Sequence, residues 1–133
     1  NGNYIFNGLI GKDFLWGKRR KNTLGINGKM TFSGGQRFTE IDANRSREAF
    51  ETVLSSTPFG GRLDGYYRFD VGLNVTINQA NSTHTFSFNI QNVTNRLNEY
   101  SRRSSYNPLT QKISVTSTKQ SGLVPVLRYQ VNF

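Results

Sequence analysis

The stretch Tyr66–Asn78, YYRFDVGLNVTIN, decides how this chain is read. Tyr67, Phe69, Val71, Leu73, Val75 and Ile77 are large and apolar. Tyr66, Arg68, Asp70, Gly72, Asn74, Thr76 and Asn78, which alternate with them, are mostly small or polar. Strict alternation puts the two sets on opposite faces of a β-strand. Soluble strands are usually about 5–6 residues long, whereas a strand crossing a bilayer at a tilt takes about 9–11. This stretch exceeds both, so it predicts one face in oil and one in water across a membrane's thickness.

Working outward, the same alternation returns in residues 4–16, 23–33, 82–92 and 123–133. The first carries Tyr4, Phe6, Gly8, Ile10, Phe14 and Trp16, with Lys12 breaking its apolar side. The second sets Leu24, Ile26, Gly28, Met30 and Phe32 against Thr23, Gly25, Asn27, Lys29, Thr31 and Ser33. The third presents His84, Phe86, Phe88 and Ile90, and the last Leu123, Pro125, Leu127, Tyr129, Val131 and Phe133. Pro125 falls near a strand start, where a missing N–H costs least. Tyr67, Phe69, Val71, Leu73, Val75, Ile77, Phe86, Phe88 and Ile90 are therefore predicted to face lipid. Lys29, Arg68, Asp70 and Arg128 are predicted to face a lumen, as a hydrated charge network more often than as solute contacts.

The connections run short, long, short, long: GKRRKN at 17–22 and residues 79–81 against 34–65 and 93–122. Transmembrane barrels have short periplasmic turns and long extracellular loops in that order, and compact soluble domains rarely hold two such long loops. The predicted fold class is all-β: an antiparallel up-and-down transmembrane β-barrel, to which this chain gives five C-terminal strands. Phe133 then lies on the periplasmic side. Within 34–65 a short helix over 46–54 is expected, with Ser46 as N-cap. Within 93–122 an extra strand is expected at 112–118. Tyr4, Phe32 and Tyr67 at one set of strand ends, and Phe14, Trp16 and Phe133 at the other, suit two interfacial aromatic belts.

Composition narrows the function classes. The 133 residues are 35% hydrophobic, yet the longest unbroken apolar run is 123–127, too short for a transmembrane helix. Opening on Asn1 at a strand's edge, without initiator Met or leader, the sequence is expected to be the C-terminal piece of a longer chain. There is no cysteine, hence no disulfide and no thiolate metal site. The net charge of +9 invites a nucleic-acid reading, but most strand aromatics lie opposite the Arg and Lys residues, against a stacking surface. Basic loops suit anionic lipid head groups and lipopolysaccharide as well.

Other candidates are thin. His84 is the only histidine and has no His or Cys to ligate with, so an interfacial aromatic role is expected. Glu40, Asp42 and Asn44 imitate part of a calcium loop without its full ligand set. Asn44, Asn74, Asn81 and Asn92 begin N-x-S/T triplets, read as chance in a bacterial barrel. Tyr100, Arg102, Arg103 and Tyr106, in the second long loop, are candidate ligand contacts, since outer loops carry recognition. No nucleophile elbow, phosphate-cradling loop or metalloprotease pair is present; no catalytic residue, metal or cofactor is expected, and the chain is read as non-enzymatic.

Several stretches carry a family resemblance: NGLIGKDF (7–14), GGQRFTEID (34–42), YYRFDVGLNV (66–75), IQNVTNRLN (90–98) and GLVPVLRYQVNF (122–133). In this order they resemble the C-terminal part of TonB-dependent outer-membrane receptors, the branch with a carboxypeptidase-regulatory-like N-terminal module. Glu40 departs from that pattern, which leads one to expect proline. The resemblance implies a barrel of about 22 strands around an N-terminal plug. It implies energy-coupled uptake of a scarce nutrient through a periplasmic energy-coupling partner that acts on the plug. Leu127, Tyr129, Val131 and Phe133 resemble the terminal signal read by the barrel-assembly machinery. The implied partners are the rest of the barrel and its plug, outer-membrane lipid and lipopolysaccharide, and that machinery, with no nucleic acid. The competing expectation is a soluble secreted β-sandwich, a binding or adhesion module whose apolar faces pack on each other.

Overall fold

Alternating apolar and polar residues produce strands that are half greasy and half wet, and the computed structural model describes such strands through residues 4–133. Asn1 lies outside the described residues. The elements in chain order are β1 (Ile5–Trp16), β2 (Asn22–Ser33), β3 (Arg37–Phe38), α1 (Ala43–Ala49), β4 (Gly61–Arg62), β5 (Tyr66–Asn78), β6 (Thr83–Gln91), β7 (Glu99–Asn107), β8 (Lys112–Lys119) and β9 (Val124–Asn132). A 3-10 turn at Lys18–Arg20 joins β1 to β2. The protein is all-β, mostly antiparallel. Its 5-stranded sheet runs β1-β2-β5-β6-β9 and is not closed into a barrel; β3 pairs with β4, and β7 with β8.

Two compact units follow from this. One comprises Phe6–Phe32, Tyr67–Arg96 and Ser121–Phe133, which is most of the large sheet. The other comprises Ser33–Tyr66 and Leu97–Gln120 with the start of β1. In the sheet unit the antiparallel register is continuous from β5 to β9: Leu73 opposes Phe88, which opposes Leu127, and Val75 opposes Phe86, which opposes Tyr129. Opposed residues point to the same side, so the apolar sets of three strands merge into one face. Pro125 opposes Ile90 one residue after β9 begins.

The second unit differs from the expectations for the long loops. Residues 93–122 contain a hairpin rather than a single extra strand. The expected strand at 112–118 is β8, and its partner β7 (EYSRRSSYN) has no apolar alternation to announce it. Backbone pairing carries β7, and periodicity reports burial rather than pairing. Residues 34–65 hold β3, β4 and α1. The helix starts earlier than expected, because Asp42 caps it by accepting a 3.0 Å hydrogen bond from the Arg45 N–H. Ser46, the expected cap, lies inside the helix, fully buried. Its hydroxyl accepts from the Val53 N–H at 2.9 Å and donates to the Val53 carbonyl at 3.3 Å. The helix ends at Phe50, whose φ of 54° is left-handed.

The core of this unit is small. Leu63 and Tyr106 are its buried apolar residues, joined by buried Ser46 and Asn98. Two glycines admit backbone and ring at close range: a Cβ on Gly35 would stand 1.7 Å from the Leu63 carbonyl oxygen, and one on Gly61 would stand 2.6 Å from the Phe38 ring.

Candidate functional site: the two faces of the sheet

The apolar face of the sheet carries all nine residues predicted to face lipid. Ring contacts tie its strands together near their loop ends. Phe32 meets Phe6, Tyr67 and Phe69 with centroids 6.4, 6.2 and 5.5 Å apart. At the opposite ends Phe86 meets Tyr129 at 4.8 Å, and His84 stacks on the same tyrosine at 6.1 Å. His84 Nδ1 lies 2.7 Å from the Tyr129 hydroxyl, and Nε2 lies 3.1 Å from the Ser82 hydroxyl. These side chains are not covered. Leu73 and Phe88, at the middle of the sheet, remain 38% exposed, Leu127 is 78% exposed and Phe133 is fully exposed. Tyr67, Phe69, Val75, Ile77 and Ile90 are half-buried, shielded by neighbours along the same face. A water-soluble domain seldom leaves so large a contiguous apolar surface open.

The polar face is a lattice of amides, hydroxyls and charges. Gly72, buried at its centre, leaves room for two amide side chains: a Cβ there would stand 2.5 Å from the side-chain oxygens of both Asn27 and Asn89. Thr31 donates to Asn7 at 3.0 Å, and Thr83 donates to Asn78 at 2.9 Å. Of the residues predicted to face a lumen, Arg68 and Asp70 form a bidentate pair at 2.6 and 2.7 Å. Arg128 donates to Gln130 at 2.9 Å. Lys29 lies between Asn27 and Thr31 on this face by alternation.

One feature of this unit escaped sequence reasoning. The chain leaves β6 through Asn92, which is only 4% exposed and has a left-handed φ of 53°. Its backbone N–H donates to Asp70 at 2.9 Å, and its amide nitrogen donates to the carbonyls of Arg96 (2.8 Å) and Ser121 (3.2 Å). Its side-chain oxygen accepts from the Thr94 hydroxyl and the Arg96 N–H, both at 3.3 Å. The Arg96 guanidinium lies 3.8 Å from the Tyr67 ring centroid and donates to the Tyr67 hydroxyl. Asn92 thus fastens β5, β6 and the approach to β9 at one point, and its amide is committed. The visible signal was NVTN (92–95), in which Asn92 and Asn95 both take positive φ, a conformation asparagine tolerates.

The second-loop candidates fall in the other unit. Tyr100 is exposed, and Arg103 lies on the β7–β8 hairpin. Arg102 makes a bidentate pair with Glu99 at 2.8 and 2.9 Å and lies 5.2 Å from the Phe38 ring centroid. The Arg102 guanidinium, with a hydrogen bond from Ser117, holds the Glu99 carboxyl down to about 2. Tyr106 is 6% exposed, inside the unit rather than on its surface, and its buried hydroxyl has no hydrogen-bond partner among the described residues. Asp42 is occupied as a helix cap. Among the described residues no group of three or more His, Cys, Asp or Glu is arranged to hold a metal ion.

Comparison with protein-family models, curated proteins and solved structures found no match to this chain. What stands is the class defined by the fold, an all-β protein whose main sheet has one open apolar face and one polar face.

Proposed function

We propose that this chain forms C-terminal strands of a bacterial outer-membrane β-barrel of about 22 strands, the receptor of an energy-coupled nutrient transporter. The observation that carries the reading is the apolar face. It spans β5, β6 and β9 in one register, and its central residues Leu73 and Phe88 stay open to the surroundings. Hydrocarbon is the solvent in which such a face is stable while every backbone group within the sheet remains paired. The polar face, with Asn27, Asn89, Arg68 and Asp70, then lines a watery interior. The free edges of β1 and β9 accept neighbouring strands of the barrel. The TonB-dependent class rests on the ordered motif resemblance together with this face, and the alternating Leu127, Tyr129, Val131 and Phe133 suit recognition by the barrel-assembly machinery. A soluble sandwich would bury the same residues against a second sheet.

These 133 residues contain no cysteine, so a thiol introduced among them is a distinct reporter. Single substitutions along β5 in the protein expressed in cells, Leu73→Cys and Asn74→Cys among them, are treated with a water-soluble maleimide in intact membranes. Leu73→Cys should stay unlabelled until detergent is added, and Asn74→Cys should react through a wet interior. Equal labelling of both, or recovery of the protein as a monomer in plain buffer, overturns the reading.

A further inference from the structure

The β1–β2 connection carries Lys18, Arg19, Arg20 and Lys21 in succession, and none of them makes an ion pair among the described residues. Arg19 and Arg20 hold positive φ angles of 62° and 50°, a conformation that costs bulky residues energy. The turn directly follows β1, whose even-numbered residues lie on the apolar face. Phe14 and Trp16, the last residues of β1 on that face, are both exposed. Lys12 breaks the face, and its ammonium lies 5.2 Å from the Phe14 ring centroid, directed toward the turn in the manner of a snorkelling lysine.

On the other side of Lys12 the face is hollow. Gly28 contributes no side chain, and two shallow troughs of about 320 and 400 Å³ share it, with Ile10 and Val71 along both. Met30 and Phe69 line the trough farther from the turn, and Lys12 and Phe14 the nearer one. This apolar channel thus runs to the Lys12 ammonium, and the four cations of the turn, without an ion pair among the described residues, follow in the chain. Resting on the barrel reading, we infer that this site binds one anionic glycerophospholipid from the leaflet on the short-turn side. Lys18–Lys21 and Lys12 take the phosphate, and an acyl chain lies along β2 over Gly28. A free phosphate would use the cations and leave the channel without purpose. The lipid uses both.

The test takes the intact protein that contains this chain, in nanodiscs of mixed phosphatidylethanolamine and phosphatidylglycerol, with retained lipid read by native mass spectrometry. Phosphatidylglycerol should be retained preferentially. The combined substitution K18Q/R19Q/R20Q/K21Q should lower that retention on the order of tenfold, and Lys12→Gln should lower it less. Gly28→Leu should displace the lipid with every cation in place. Should that variant misfold, the charge variants still decide. Equal retention of both lipids, unchanged by the charge substitutions, overturns the inference while leaving the barrel reading intact. So does displacement by soluble glycerol phosphate as effective as by lipid. Failure to enter a bilayer at all overturns both.

Discussion

The two units invert each other. In the loop-built unit, Leu63 and Tyr106 are hidden and the chain folds tightly around them, with Gly35 against the Leu63 carbonyl and the Phe38 ring over Gly61. In the sheet unit the buried positions are Gly25, Gly72 and Asn92, while Phe, Leu, Val and Trp side chains are turned outward. The first follows the rule for a protein in water, with large apolar groups inside. The second reverses it: what is packed is polar or lacks a side chain. On the barrel reading proposed above, the difference corresponds to two surroundings, water for the loop-built unit and hydrocarbon against the apolar face of the sheet.

The strongest way to break the contrast is Gly35→Ala. Its Cβ would meet a backbone oxygen at 1.7 Å, which no rotamer change relieves. A loss of about 3 kcal/mol or more is expected, confined to the loop-built unit. Limited proteolysis should cut within 33–66 and 97–120 while β5, β6 and β9 stay protected, and uniform loss of protection would mean the units are not separable. Next comes Leu73→Arg. In hydrocarbon it should cost about 2–4 kcal/mol near the midplane, whereas a substitution on a face bathed in water should fall within about 0.5 kcal/mol. Denaturant titration in lipid vesicles distinguishes the two. The smallest effect concerns Glu99. Its folded pKa lies at about 2, below the ordinary 4.5, so its pairing stabilises the β7–β8 hairpin above the ordinary value and is lost as pH falls from there toward 2. Hydrogen exchange in β7 should therefore quicken across that acid window, and Glu99→Gln should remove the pH dependence. The effect is modest because Arg102 is partly solvated.

The strands of the large sheet were legible because each has one apolar and one polar face, and that division is what alternation records. Tyr66–Asn78 and the Phe86–Phe88–Ile90 series found their places with ends shifted by a residue at most. β7 was not legible: Arg102 and Arg103 stand where a buried strand would show apolar residues, and its partner β8 supplies order through the backbone. Asp42 and Ser46 are both good caps by residue type, and only the return of Val53 onto Ser46 decides between them. Asn92 was visible within IQNVTNRLN, but its hydrogen bonds reach Asp70 and Ser121, contacts that no local pattern encodes.

The polar side chains of β9 are linked lengthwise, from Arg128 to Gln130 at 2.9 Å and from Gln130 to Asn132 at 3.2 Å. A ribbon tied along its own length rather than sideways offers a new neighbour bare main-chain partners and asks no existing link to break. On the barrel reading, a strand docking at that margin pairs one rung at a time, like a zipper.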